Sequence, residues 1–188
     1  MTRSRQTADW GSRAGLAKIV PSSVAVGSGT GSANSLGTVT FSGASSVSLN
    51  GVFSSTYENY RIVASITSST ANEIIYFRVR AAGTDLTTST YRWAYVRNAY
   101  TTSSTASGAN PANVIELGAV SSANGKLSLD CYNPQTANET FTPYQWVDNG
   151  RVQSGGGMVN NSTSYDSFTL LMVAGNMTGT VSIYGYTN

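Results

Sequence analysis

The alternation of apolar and polar residues along this chain is that of short β-strands. Within residues 47–66, VSLNGVFSSTYENYRIVASI, Val47 and Leu49 alternate with Ser46, Ser48 and Asn50. From Tyr60 onward, Tyr60, Ile62, Ala64 and Ile66 point to one face and Arg61, Val63 and Ser65 to the other. Asn50-Gly51 is a turn pair, because both residues tolerate positive φ at low cost. Phe53, Tyr57 and Tyr60 recur at three to four residues, which predicts one helical turn gathering the three rings beneath the following strand. Two apolar strands joined by an aromatic corner make a folding core to which other strands can add.

The same reading predicts strands at 38–41, 73–81, 91–98, 114–117, 125–133, 140–147, 167–174 and 180–186. Segment 167–174, SFTLLMVA, is apolar on both faces and is expected at the centre of a sheet. Pro143 demotes 140–147 to an edge or bulged strand. Residues 99–112 read as a polar loop, and Gly155-Gly156-Gly157 as a flexible crossing. Some ten short strands separated by turns predict an all-β fold, an antiparallel β-sandwich of jelly-roll type, over residues 38–188.

Residues 1–37 have another texture. Ala8, Trp10, Leu16, Ile19 and Val20 are interrupted by Gly11 and Gly15, which predicts an extended or partly helical arm. Residues 21–37, PSSVAVGSGTGSANSLG, read as a Gly/Ser linker with a short strand at 24–26. Charge changes the picture here. The chain carries a net charge of only +2, which does not argue for nucleic acid. Yet Arg3, Arg5, Arg13 and Lys18 all fall in the first 18 residues, against one acid, Asp9. An arm with arginines and apolar anchors suits docking on another protein, and the expected docking residues are Arg3, Arg5, Trp10, Arg13, Leu16 and Ile19.

Composition narrows the chemistry. Charged residues make up 11% of 188, well below the usual share of about a quarter, and Ser, Thr, Gly, Asn and Ala take their place. There is no histidine, which removes the commonest general base, the usual catalytic triads and most zinc sites. The single cysteine, Cys131, forms no intrachain disulfide and reads as a small core residue. Glu116 and Asp130 can be imagined as a glycosidase pair across neighbouring strands. Nothing in their spacing marks them, and two ordinary strand residues are the simpler reading. No enzyme activity, cofactor or metal is expected. No apolar run has the length of a membrane span, and the N-terminus lacks the apolar core of a secretory signal, so membrane insertion and secretion are not expected.

Two side-chain groups remain as surface candidates. Tyr76, Arg78, Arg80, Tyr91 and Arg92 lie on successive predicted strands and suit a contact between identical subunits. Trp93, Tyr100, Tyr144 and Trp146, with segments 99–112 and 148–165, suit contact with a glycan or receptor.

The order of segments along the whole chain is also informative. The opening MTRSRQTADWGS, then KIVPSSVAVGSGTGS, GTVTFSGASSVSLNGVFSSTYENYRIV and RVRAAGTDLTTSTY, and the ending TGTVSIYGYTN resemble a family of tailed-bacteriophage virion proteins, commonly called tail-fibre, minor tail or head-decoration proteins. The resemblance implies a knob exposed on the virion surface, a homotrimer, attached through the N-terminal arm to a capsid, portal or tail protein; recognition of a host-surface glycan is the alternative reading, carried by the surface residues named above. It rests on order and spacing and carries no catalytic motif.

Overall fold

The computed structural model describes residues 15–68, 73–101, 103–120 and 124–187. All regular structure among them is β. The strands are β1 (Gly15–Ile19), β2 (Ser23–Val26), β3 (Thr30–Ala33), β4 (Val39–Ala44), β5 (Ser46–Asn50), β6 (Asn59–Ser68), β7 (Glu73–Ala81) and β8 (Thr84–Asp85). They continue as β9 (Tyr91–Ala99), β10 (Thr105–Ala112), β11 (Ile115–Val120), β12 (Gly125–Tyr132), β13 (Thr140–Val147), β14 (Arg151–Val159), β15 (Ser167–Met172) and β16 (Met177–Thr187).

Two antiparallel sheets form a sandwich. The larger has ten strands in the order β10-β9-β14-β13-β12-β6-β16-β4-β3, with β1 beside the far half of β16. The smaller has six, β11-β7-β15-β5-β2, with the short β8 beside β7. The expected antiparallel all-β sandwich is therefore the fold. Alternation drives it. In β13 every second residue (Thr140, Thr142, Tyr144, Trp146) is buried and every other one (Phe141, Pro143, Gln145, Val147) is exposed. The buried faces of the two sheets meet in one core whose largest fully buried side chains include Trp146, Tyr60, Tyr91, Tyr165, Phe41, Phe77 and Phe168. Burying each such ring stabilises the fold by about 1.5–3 kcal/mol.

The stretch 47–66 crosses between the sheets. β5 belongs to the smaller sheet and β6 to the larger. Gly51, at φ +62°, turns the chain out of β5, and the N–H groups of Val52 and Phe53 both donate to the carbonyl of Asp166. The three rings meet without the expected helical turn; residues 51–58 are turns and bends. Phe53 and Tyr57 each pack edge-on to Tyr60, at 4.8 and 6.1 Å between centroids. The Tyr60 hydroxyl organises the corner: it accepts from the Ser54 N–H and donates to the Ser54 carbonyl. The hydroxyl works beside one backbone turn bond, from the Tyr57 N–H to the Ser54 carbonyl at 3.4 Å.

Four other expectations are corrected. Residues 15–37 are neither free arm nor linker: β1 and β3 pair with β16 and β4, and the short strand expected at 24–26 is β2, paired with β5. Val24 and Val26, set among serines and glycines, face Leu49 and Val47 across the ladder and pack on the core. The polar loop 99–112 holds β10, whose small side chains let it add to β9 as an edge strand. β13 is interior despite Pro143. Its ladder to β14 runs unbroken through Pro143, whereas its ladder to β12 skips Asp130 and Cys131, so the missing N–H costs contact on one side only. Gly155-Gly156-Gly157 is the middle of β14, not a crossing. The expectation that 167–174 is central holds, since β15 lies between β7 and β5.

Candidate functional site

β11 packs against the inner face of β13, β14 and β9, and the alternate residues of these strands, with β10 at the edge, form an outer face at one side of the larger sheet. Cross-strand register sets what lies there. One row contains Tyr132, Phe141, Met158 and Arg92; the next contains Pro143, Gly156, Ala94 and Gly108. A third contains Ser128, Gln145, Ser154 and Val96. The second row has almost no side chain, so the sheet surface sinks between its neighbours. The result is an open trough of about 690 Å³, lined by Arg92, Ala94, Gly108, Asn110, Phe141 and Met158 among others. Phe141, 45% exposed, stands at its end. A polar depression of about 330 Å³ adjoins it across Pro143, lined by Arg61, Ser128, Asp130, Gln145 and Ser154.

Asp130 and Arg61, side by side on β12 and β6, form a two-pronged ion pair with Nε–Oδ1 and Nη2–Oδ2 both at 2.8 Å. The Tyr186 hydroxyl donates to Asp130 Oδ1 at 2.6 Å. Burial by itself would raise the Asp130 carboxyl, but the Arg61 fork and the Tyr186 hydroxyl outweigh it and hold the carboxyl below its ordinary value. Burial, then the hydrogen bond to Asp130, pushes the Tyr186 phenol up to about 12.

Glu116 and Asp130 do not lie on neighbouring strands. Glu116 lies on β11 of the smaller sheet and Asp130 on β12 of the larger. Glu116 accepts from the Tyr95 hydroxyl at 3.0 Å, while Asp130 is engaged by Arg61 and Tyr186. Cys131 is buried, and burial pushes its thiol far up, as expected of a core residue. Among the described residues no group of three His, Cys, Asp or Glu is placed to hold a metal, and no helix is long and apolar enough to cross a membrane.

The four expected receptor residues are not brought together. Trp146 and Tyr144 face inward at 0% and 3% exposure. The Trp146 indole donates to Asp148, and the Tyr144 hydroxyl to the Glu116 carbonyl. Trp93 is half-buried and stacks on Tyr95 at 5.6 Å, and only Tyr100 is freely exposed. The side-chain parity of β13 decides this: Phe141 points out, so Tyr144 and Trp146 point in. The expected subunit face also divides. Tyr76, Arg78 and Arg80 alternate with buried Ile75, Phe77 and Val79 and share the outer face of the smaller sheet. Tyr91 is wholly buried in the core, and Arg92 lies on the outer face of the other sheet. Arg80 is committed within its own subunit, to Asp85, Ser48 and Thr169.

Of the expected docking residues, Leu16 and Ile19 sit in β1, paired with Tyr186 and Ile183. Ile19 packs on the core, so it anchors the chain to its own body. Arg3, Arg5, Trp10 and Arg13 lie outside the described residues. Gly15 is opposite Thr187, and its N–H donates to the Thr187 hydroxyl at 2.8 Å, so the two ends of the described chain meet at one place. From β1 the trough is five strand spacings away through β16, β6, β12, β13 and β14, about 24 Å.

The chain matches no protein-family model and no curated protein in sequence. The Phe141–Gly156–Ala94 trough was missed by sequence reasoning, because glycine and alanine in a strand read as weak structure; the one signal was that Phe141 has the opposite parity to Tyr144 and Trp146 in β13.

Proposed function

We propose that this protein is a non-enzymatic structural component of a tailed-bacteriophage virion, a β-sandwich knob that works as a homotrimer on the particle surface. Residues 1–14 dock it on a capsid, portal or tail protein, with Arg3, Arg5, Trp10 and Arg13 as contacts. The observation that carries this reading is the pairing of Gly15 with Thr187. The pairing fixes the point at which residues 1–14 join the two-sheet body, next to Thr187. Sequence order along the chain, the low charge and the separate engagement of Glu116 and Asp130 support it as well. For self-contact, the outer face of the smaller sheet with Tyr76 and Arg78 is the candidate, and three leaders together would raise avidity for a symmetric docking site.

Deletion of residues 1–14, keeping β1, tests the reading. The truncated protein is expected to stay folded and to be missing from particles assembled in its presence. Incorporation at the level of the full chain would refute the docking role, and a monomer in light scattering would refute the trimer.

A further inference from the structure

The three consecutive glycines of β14 do not have the same reason to be there. A Cβ on Gly155 would come within 2.7 Å of Tyr144 and Tyr95, and one on Gly157 within 2.7 Å of Ile115. Both face the core, and packing excludes a side chain. Gly156 faces out. A Cβ there would meet nothing closer than the Pro143 Cα at 3.7 Å, an ordinary contact, and its φ is not in the left-handed region. The fold gives no reason for this glycine, and glycine inside a strand weakens it. What the missing side chain does is keep the trough open, between Pro143 on one side and Ala94 on the other.

We propose that the trough is a binding site for an oligosaccharide. The floor is flat and apolar, made of Pro143, Gly156, Ala94 and Gly108, with the exposed Phe141 ring at its end. Polar side chains border it on both sides: Arg92 and Asn110 on one, Gln145 and Ser154 on the other. None of these four side chains is engaged by a hydrogen bond or ion pair among the described residues. A sugar ring has the same division, a face of C–H groups and a rim of hydroxyls, and pockets that take such ligands pair an apolar lining with a few placed polar groups. The adjoining depression extends the site across to the Arg61–Asp130 pair, giving room for a chain of rings. A peptide fits less well. An extended peptide gains most by pairing along an open strand edge; the trough instead runs across β13, β14, β9 and β10, and of these only β10 has an edge free of a partner strand among the described residues. This site does not depend on how the protein is attached or on its copy number.

The test uses the purified full chain on an array of oligosaccharides three to five residues long, with neutral, N-acetylated and uronic-acid members. The native protein is expected to retain at least one of them, and Gly156→Val and Phe141→Ala are expected to weaken that binding tenfold or more. Gly156→Val is also expected to melt at the same temperature as the native protein or higher, and both variants to keep the native oligomeric state. No retention of any member at millimolar glycan overturns the proposal. So does binding that survives both substitutions. A change in oligomeric state on Gly156→Val would mean that a second copy of the chain occupies the trough, which also overturns it. Phe141 is exposed, so Phe141→Ala keeps the test decisive if the valine variant does not fold.

Discussion

The indole of Trp146 lies against the backbone of Gly125, on the neighbouring strand β12, so closely that a Cβ at that glycine would come within 2.0 Å of Cζ2. Gly118 of β11 closes on the same ring from the opposite sheet, where a Cβ would sit 2.6 Å from Cγ. Trp146 therefore fills a slot whose walls are backbone, and it ties the larger sheet to the smaller one. Gly125→Ala is expected to displace the ring and to cost about 1–3 kcal/mol, the usual range for overpacking a well-filled core. Urea denaturation followed by tryptophan fluorescence would measure it.

The glycines of β14 make a contrast within one tripeptide. Gly155→Ala and Gly157→Ala each push a methyl into Tyr144 or Ile115 and are expected to destabilise by about 1–3 kcal/mol. Gly156→Ala places its methyl in the trough and is expected to be neutral or to stabilise by up to about 1 kcal/mol. Three thermal melts of the single variants would give the order.

Asp130 sets a pH dependence with a definite sign. Its folded carboxyl is held below the ordinary value, so the stability it contributes is fully present above the unfolded value of about 4. That stability is lost as pH falls through the lower, folded value. Arg61 is more than a third exposed, so solvent screens the pair and its worth is about 1 kcal/mol. Asp130→Asn is expected to lower stability at pH 7 by that amount, with the difference shrinking below pH about 4. Tyr186 acts at the other end of the scale. Its phenol is raised to about 12 in the fold, so its contribution is lost as pH rises from about 10 towards that value.

Cys131 is buried and its thiol is pushed up by loss of solvent and by the nearby Asp130 charge. A thiol that is neither exposed nor ionised is a poor nucleophile. The native protein is expected not to react with a maleimide at pH 8, and one equivalent is expected to add once the protein is unfolded in urea. Mass spectrometry of the two samples reads this directly.

β1 belongs to the body, not to the leader. Removing residues 1–19 takes away the ladder from Gly15↔Thr187 to Ile19↔Ile183 together with the packing of Ile19. This deletion is expected to lower stability by about 2 kcal/mol relative to deletion of residues 1–14, on the scale of one buried aliphatic side chain. Comparing the two truncations separates loss of docking from loss of folding.

Much of the fold is legible in the sequence, and the reason is the period of two. β7 and β12 begin and end within one residue of where alternation begins and ends, and Phe168 and Leu170, in a run apolar on both faces, do lie in a central strand. The misses share a cause. β3, β10 and the middle of β14 are rich in Ser, Gly and Ala, whose intrinsic preference for strands is weak. They are strands because neighbours offer them ladders and because residues such as Gly157 must be small for Ile115 to pack.

The sequence by itself determined the all-β class, the positions of the strong strands, the core role of Cys131 and the concentration of positive charge in the first eighteen residues. Each of these is written in local alternation or in composition. Only the tertiary structure decided that Trp146 and Tyr144 face inward, that Glu116 and Asp130 belong to different sheets, that Gly15 meets Thr187, and that Gly156 opens a trough beside Phe141. Those depend on register and on which strands become neighbours. Register is set by long-range pairing between segments as much as 172 residues apart, and no local pattern encodes it.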